Sequence, residues 1–415
     1  MASYDWPRRA VWLDIAADFK RPQDVREFVN WSRRAGMGIV FPCIAHATGT
    51  LCYESEYAPT ALGYREWNPL RILLDECHAA GIEVHPWFVV FCWGSNLLPY
   101  LEGKAYEIGS TPPLQRSHPD WFTTDLYGRH TLEAPSLGPG PGGLTMLDPG
   151  KVEVRQFLRH VVTELLSKYP DVDGIHLDYI RYEDYRCTLR LDVTDAPDIG
   201  RRIKVGDILY ITRPHSDLPG EQDLDLFYEL TALSTSEAVL ERQYRYCYCD
   251  SCLARFSQET GIRIPDLPDT HSVARWLWEE APEAWVRWRA QQVTDAVRSI
   301  AGPVHAAHKR LSAAVFWNYP AIVRTIAQDW VEWAREGLLD FAVPMTYGFA
   351  AERVGELTRG YVQLVGTDCP VYAGVLRNDG YPLGGEELQR YEALVSENGG
   401  AGVALFCYGT WRGVI

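Results

Sequence analysis

The chain has 415 residues, 47% of them hydrophobic and 23% charged, the balance of an ordinary globular protein. Its 40 basic residues face 55 acidic ones, a net charge of -15, so no cationic surplus exists to neutralise the phosphates of nucleic acid or an anionic membrane. No run of about 18 apolar residues occurs, and Met1–Ala10 is polar and then basic without an apolar signal core, which makes the cytoplasm the expected location.

Eight short, apolar, β-branched runs follow one another along the chain. They are Ala10–Ile15, Met37–Ile44, Glu83–Val90, Gly174–Ile180, Leu311–Trp317, Phe341–Tyr347, Pro370–Leu376 and Val403–Tyr408. Near-continuous apolar strands are those buried on both faces, as parallel strands are. Helical patterns separate them: Pro22–Ala35, Asn68–Ala80, Val152–Lys168, Ala284–Ile300, Asn318–Glu336, Glu352–Leu364 and Glu386–Asn398. Gly36, Gly81, Gly302, Gly337 and Gly399 stand where helices should end. Eight strands alternating with helices predict an α/β fold of the (β/α)8 TIM barrel type, in one domain over the whole chain. An open doubly wound sheet would want a phosphate loop. The Gly-rich stretch Leu137–Gly143 carries two prolines and lacks the Gly-Lys-Ser/Thr ending of one.

Such a barrel needs about 250 residues. The excess sits in two long insertions, Phe91–Leu147 after strand three and Tyr182–Trp276 after strand four. Both are βα loops, on the face where these barrels carry their sites. Within the second, Leu189–Val193 and Asp207–Thr212 read as strands of a small β-rich subdomain.

Strand ends at that face carry a polar set: Asp14, His46, His85, Asp178, Arg181, Asn318, Tyr347 and Asn378. The segment DGIHLDYIRY, Asp173–Tyr182, is the strongest signal, because a charge inside an apolar strand is costly unless paired or facing the mouth. His176 and Asp178 are two apart and share a strand face, which should be the lumen. A catalytic carboxylate set by His176 and Arg181 is the functional reading; an Asp–Arg pair closing the barrel top is the structural one. The 15 tryptophans suit either an aromatic core or sugar-stacking walls, with Trp87, Trp93 and Trp317 the candidates for the latter.

The motifs VWLDI, VHPWF, LDPGKVEVRQFL, VDGIHLDYIRY, CYCDSC, SAAVFW and QDW…LLDFAVPMTYG resemble the family 10-like glycosyl hydrolases, the group that contains peptidoglycan-glycan hydrolases, from about Ala10 to Gly348. The resemblance implies a barrel acting on a glycan, with Asp178 as the catalytic carboxylate and Tyr347 beside the reacting carbon. It implies that Asp14, His85 and Trp87 line the sugar site. The insert Thr188–Arg245 has no counterpart in that pattern. Glycoside hydrolysis ordinarily takes two carboxyl groups. The second is open among Asp14, Asp148, Glu183, Asp184 and Asp379, with Asp14 and Glu183 foremost. A retaining enzyme would use Asp178 as nucleophile, kept ionised by Arg181. Two other readings stand beside the hydrolase: a non-catalytic glycan-binding barrel, and a metal-dependent hydrolase using His46, His85, His176 and Asp178. The partner expected is a carbohydrate, neither nucleic acid nor membrane, and a homo-oligomer is left open. Catalysis calls for no cofactor.

Most of the ten cysteines lie singly in apolar segments, but Tyr246–Cys252 spells C-x-C-x-x-C. Cys247, Cys249 and Cys252 at that spacing can wrap a soft tetrahedral ion, with Cys187 expected as fourth ligand of a structural zinc; loop thiols or disulfides are the alternative.

Overall fold

The computed structural model describes residues 6–61, 64, 67–95, 114–133, 144–182, 188–196, 198–211, 226–243, 246–378 and 380–415. Glu183, Asp184, Cys187 and Asp379 lie outside the described residues.

The eight expected strands all form. They are β1 (Arg9–Leu13), β2 (Ile39–Ala45), β3 in two pieces (Glu83–Val84 and Trp87–Val89), β4 (Gly174–Asp178), β5 (Arg310–Phe316), β6 (Phe341–Met345), β7 (Tyr372–Leu376) and β8 (Gly402–Phe406). Each pairs in parallel with the next, and β8 pairs with β1, so the sheet closes into a barrel. Their residues are buried almost throughout because helices cover the outside and side chains fill the inside. A lumenal cluster of Ala10, Trp12, Ile39, Phe41, Ala314, Phe341, Val343, Tyr372 and Ala404 plugs the barrel.

The helix Val152–Lys168 illustrates the outer layer. Val154, Phe157, Leu158, Val161, Val162, Leu165 and Leu166 are buried, the spacing of one helical face. It packs against the long helix Pro282–Ala306. The single helix expected over Asn318–Glu336 is instead two, Ala321–Ile326 and Trp330–Arg335. The break is at Ala327, in the left-handed region at φ 58°. It lets the Gln328 side-chain oxygen accept the Phe316 N–H at 2.7 Å, satisfying the end of β5.

Both insertions leave from the C-terminal face of the barrel. In the first, Cys92–Ser95 pairs with Leu144–Met146 in a two-stranded ribbon. In the second, four antiparallel strands form a sheet: Thr188–Asp192, Glu237–Gln243, Leu226–Leu233 and Ile208–Ile211, in that spatial order. The two expected strands are its edges, and the central pair was not foreseen. Helices Asp250–Thr260 and Thr270–Glu280 lead back to the barrel. The buried guanidinium of Arg289 donates to the Tyr246 carbonyl at 2.7 Å and ties the foot of this insertion to the long helix. No helix among the described residues is long and apolar enough to cross a membrane.

Candidate functional site

A cavity of about 620 Å³ opens at the C-terminal ends of the strands. Its walls are Trp12, Trp87, Tyr179, Phe316, Trp317, Met345, Tyr347 and Phe406, with Cys43, His46, Asp178 and Arg181 as the polar elements among apolar neighbours. An apolar, aromatic basin with a few convergent polar groups is the usual form of a small-molecule or sugar site.

Asp178 ends β4 and is 8% exposed. The next residue, Tyr179, sits at φ 51°, a left-handed conformation unusual for an aromatic residue. That sharp exit from the strand aims the Tyr179 N–H at Asp178 Oδ1, 2.6 Å away. Burial pushes the Asp178 carboxyl above its ordinary value, and the Arg181 charge, the Tyr179 N–H and the Trp87 indole offset only part of the rise. This differs from the expectation that Arg181 would hold Asp178 ionised: desolvation outweighs the neighbouring cation. Arg181 packs its guanidinium over the Tyr179 ring at 4.2 Å and over Phe316 at 4.9 Å. Tyr347, held high by burial and by the charge of Asp178, faces the same carboxyl.

His176 lies on the lumenal face, as its two-residue spacing from Asp178 requires, but a layer below the cavity. It is fully buried and stacks on Phe41 at 4.0 Å. The Trp12 indole N–H donates to Nε2 at 3.1 Å. An indole can only donate, so Nε2 accepts and a neutral ring carries its proton on Nδ1, toward Ser312 Oγ at 2.9 Å. Burial drives its pKa well down, which agrees with a neutral ring. His176 therefore positions Trp12 in the cavity wall and does not itself touch the cavity.

His85 is lower still. Its Nε2 meets Glu83 at 3.2 Å near the bottom of the barrel, and its ring packs against Phe41 and Phe341. It is fully buried, so the expectation that it lines the sugar site is corrected. Trp93 is corrected too. Its N–H donates to the Val90 carbonyl at 2.7 Å and its ring packs on Phe88 and Phe157, because the chain turns outward after β3. Trp87 and Trp317 do line the cavity. Asn318 follows Trp317, half-buried, and its carbonyl starts the next helical turn, so it is not part of the wall. Asn378 serves a hairpin, accepting from Gly380 and Tyr381 N–H at 2.9 and 3.0 Å.

Asp14 caps the four-residue helix Ile15–Asp18, accepting from the Ala17 N–H at 3.2 Å. It stands 3.7 Å from His46 Nε2. Burial alone would raise its pKa, but His46 and the helix N–H groups hold it below the ordinary value. Asp14 is not on the cavity wall; His46 is. Burial pushes the Cys43 thiol well above its ordinary value, and the charges of Asp14 and Asp178 add to the rise. Asp18, pushed up to about 6 by burial and by Asp14, adds a second acid behind this wall. The wall residues Trp12, Phe316, Met345 and Phe406 were not singled out in the sequence. The signal existed: each sits on the lumenal phase of its strand, two residues along from another inward side chain.

His46, His85, His176 and Asp178 do not converge. The one metal-compatible cluster among the described residues is elsewhere, at Asp148, Cys247, Cys249 and Cys252. The metal-dependent hydrolase reading therefore has no geometric basis. Asp148, a candidate second carboxylate in the sequence, is committed to the cysteines and absent from the wall.

Residues 7–193 match the family described as Glycosyl hydrolase-like 10. The resemblance carried by VWLDI, VHPWF and HLDYIRY holds over that stretch; its extension to Gly348 is not covered by the match. A 123-residue stretch is 32% identical to the glycosyl hydrolase DigH of Escherichia coli (strain K12), covering 28% of this chain and 24% of that protein. The glycosyl hydrolase YngK of Bacillus subtilis (strain 168) is 23% identical over 215 residues, 48% of this chain and 36% of that one. The chain thus spans about a quarter to a third of the length of these curated relatives. Among solved structures, the catalytic domain of β-amylase from Paenibacillus polymyxa superposes with a TM-score of 0.55 at 13% identity, over 99% of this chain and 94% of that one. At that identity the likeness speaks for the barrel alone.

Proposed function

We propose that this chain, an eight-stranded barrel whose residues 7–193 match the glycosyl hydrolase-like 10 family, hydrolyses a glycosidic bond of an oligo- or polysaccharide in the cavity at the barrel mouth. The observation that carries the reading is a buried carboxyl, Asp178, on the wall of an aromatic basin that Tyr347 and Trp87 also line, its pKa pushed upward by burial. A poor leaving oxygen requires a proton donor, and burial of a carboxyl favours its protonated form. Asp178 gives its proton to that oxygen as the bond to the anomeric carbon breaks. His46, with Asp14 behind it at 3.7 Å, is the acid–base pair suited to take the proton of the attacking water. The pKa values of the two carboxyls are pushed apart, Asp178 up and Asp14 down, which is the pattern of paired acid and base. Trp87 and Trp317 offer ring faces to the sugar, and the net charge of -15 suits a neutral or cationic glycan.

One observation favours a second reading, a barrel that binds glycan without cutting it: among the described residues, Asp178 is the one carboxylate on the wall. The two readings separate in one experiment. A panel of glycans is incubated with wild type, Asp178→Asn and Asp14→Asn, and the products are followed by mass spectrometry alongside calorimetric binding. Hydrolysis by wild type that is lost in both variants while binding persists supports the enzyme. Binding by all three without cleavage by any supports the binding barrel.

A further inference from the structure

Away from the cavity, three cysteines of the second insertion and one carboxylate from the end of the first meet. Cys247, Cys249 and Cys252 place their sulfurs 3.2, 3.3 and 3.1 Å from a single oxygen, Asp148 Oδ2. All four ligand atoms lie within 4.8 Å of one another. We infer that these four residues form a closed site for a soft divalent cation of the zinc type, in which Asp148 completes the tetrahedron and the ion pins one insertion to the other.

Hydrogen bonding does not account for the arrangement. A carboxylate oxygen has about two lone-pair directions, yet three thiols aim at this one atom. A cation does account for it. Metal–sulfur bonds of about 2.3 Å and metal–oxygen bonds of about 2.1 Å put neighbouring ligand atoms roughly 3.5–3.8 Å apart in a tetrahedron, a few tenths of an ångström beyond the sulfur–oxygen separations of 3.1–3.3 Å and inside the 4.8 Å span of the four atoms.

The surroundings are built for the same purpose. The Gly150 N–H holds Asp148 Oδ1 at 2.9 Å, leaving Oδ2 free to face the sulfurs. The Thr124 N–H points at Cys247 Sγ, 3.2 Å away, a donor to a negatively charged sulfur. Cys249 is the N-cap of the helix Asp250–Thr260, so the cysteines sit at that helix's N-terminal end. Gly150 admits no side chain: a Cβ there would stand 2.3 Å from Cys252 Sγ. Asp148, Cys247 and Cys252 are buried to within 1%.

Four protein ligands leave no open position, so the ion holds structure and does not polarise substrate. What it holds is specific. The Asp148 N–H binds the Trp121 carbonyl, Tyr246 bridges to Asp125, and the Tyr248 N–H binds the Thr124 carbonyl, so both insertions converge here. Leu144, four residues before Asp148, is on the cavity wall. The ion thus braces the rim of the mouth from behind.

The test does not depend on any glycosidase activity. Elemental analysis of the purified full chain is expected to give about one zinc per chain. Cobalt(II) added to the metal-free protein should give thiolate charge-transfer absorption and the intense visible bands of a tetrahedral ion. Asp148→Ala should weaken cobalt binding by about 100-fold or more, while Cys187→Ser leaves affinity and spectrum unchanged. Asp148→Cys should keep the ion and move the visible bands toward those of a four-sulfur site, which covers the case in which the alanine variant does not fold. A wild-type protein that binds neither ion overturns the site. Loss of the cobalt spectrum in Cys187→Ser, with Asp148→Ala unaffected, overturns the ligand assignment.

Discussion

Two layers of the barrel lumen, separated by one two-residue step along β4, use the same kinds of residue for opposite ends. In the lower layer His176 is sealed among Trp12, Phe41 and Ser312, with both ring nitrogens engaged and its charge suppressed. In the upper layer Asp178 is nearly as buried, but it faces a 620 Å³ cavity. The step is only about 6.6 Å. It separates a group whose hydrogen bonds are complete from one whose carboxyl is left for a ligand. Position along the strand, not residue type, divides support from chemistry. His85, still lower, is sealed in the barrel like His176, whereas Trp87, which pairs in register with His176, reaches the cavity wall.

The comparison can be broken by substitution. Asp178→Asn is expected to lower kcat/KM on unactivated glycans by about 10²–10⁴-fold while leaving thermal stability near wild type, measured by initial rates and calorimetry. His176→Ala should do the reverse. It strands the buried Trp12 indole N–H and opens a void, so unfolding in urea should show a loss of about 1–3 kcal/mol, with turnover changed far less. A His176→Ala variant that is stable and inactive would move the chemistry into the lower layer. Trp87→Ala should raise KM by roughly fivefold, about 1 kcal/mol of ring stacking, with kcat little changed.

The smallest effect sharpens the electrostatics. A proton donor works below its pKa, so activity should fall as pH rises through the elevated Asp178 value. Arg181 offsets part of that elevation. Arg181→Met removes the cation, raises the carboxyl further and should move the alkaline limb of the kcat/KM profile to higher pH. An alkaline limb left in place would show that Arg181 does not act on Asp178.

The barrel was legible because each buried strand is a short β-branched run between helical patterns, and one cap residue marks most boundaries. Helix Val152–Lys168 forms over the expected residues, since its apolar face repeats without interruption. Asn318–Glu336 does not stay whole, because Gln328 is drawn to the open N–H of Phe316, a tertiary contact that no local pattern announces. The site divides in the same way. Asp178, Trp87, Trp317 and Tyr347 follow from strand ends and alternation. His85 and Trp93 do not line the wall, because strand position alone does not say how deep in the barrel a side chain stops. The pairing of Asp148 with the cysteine motif joins segments about a hundred residues apart, and spacing within either segment is silent on it.

If Asp178 donates a proton to the leaving oxygen, the leaving group itself reports on that step. Wild type and Asp178→Asn are compared on aryl glycosides running from dinitrophenyl, which departs without help, to phenyl and simple alkyl, which do not. The account predicts that the variant keeps nearly full rate on dinitrophenyl substrates and loses rate progressively, to about 10³-fold, as the leaving group worsens. An equal loss on every substrate would contradict it and make Asp178 the attacking group, and no loss at all would remove Asp178 from the reaction.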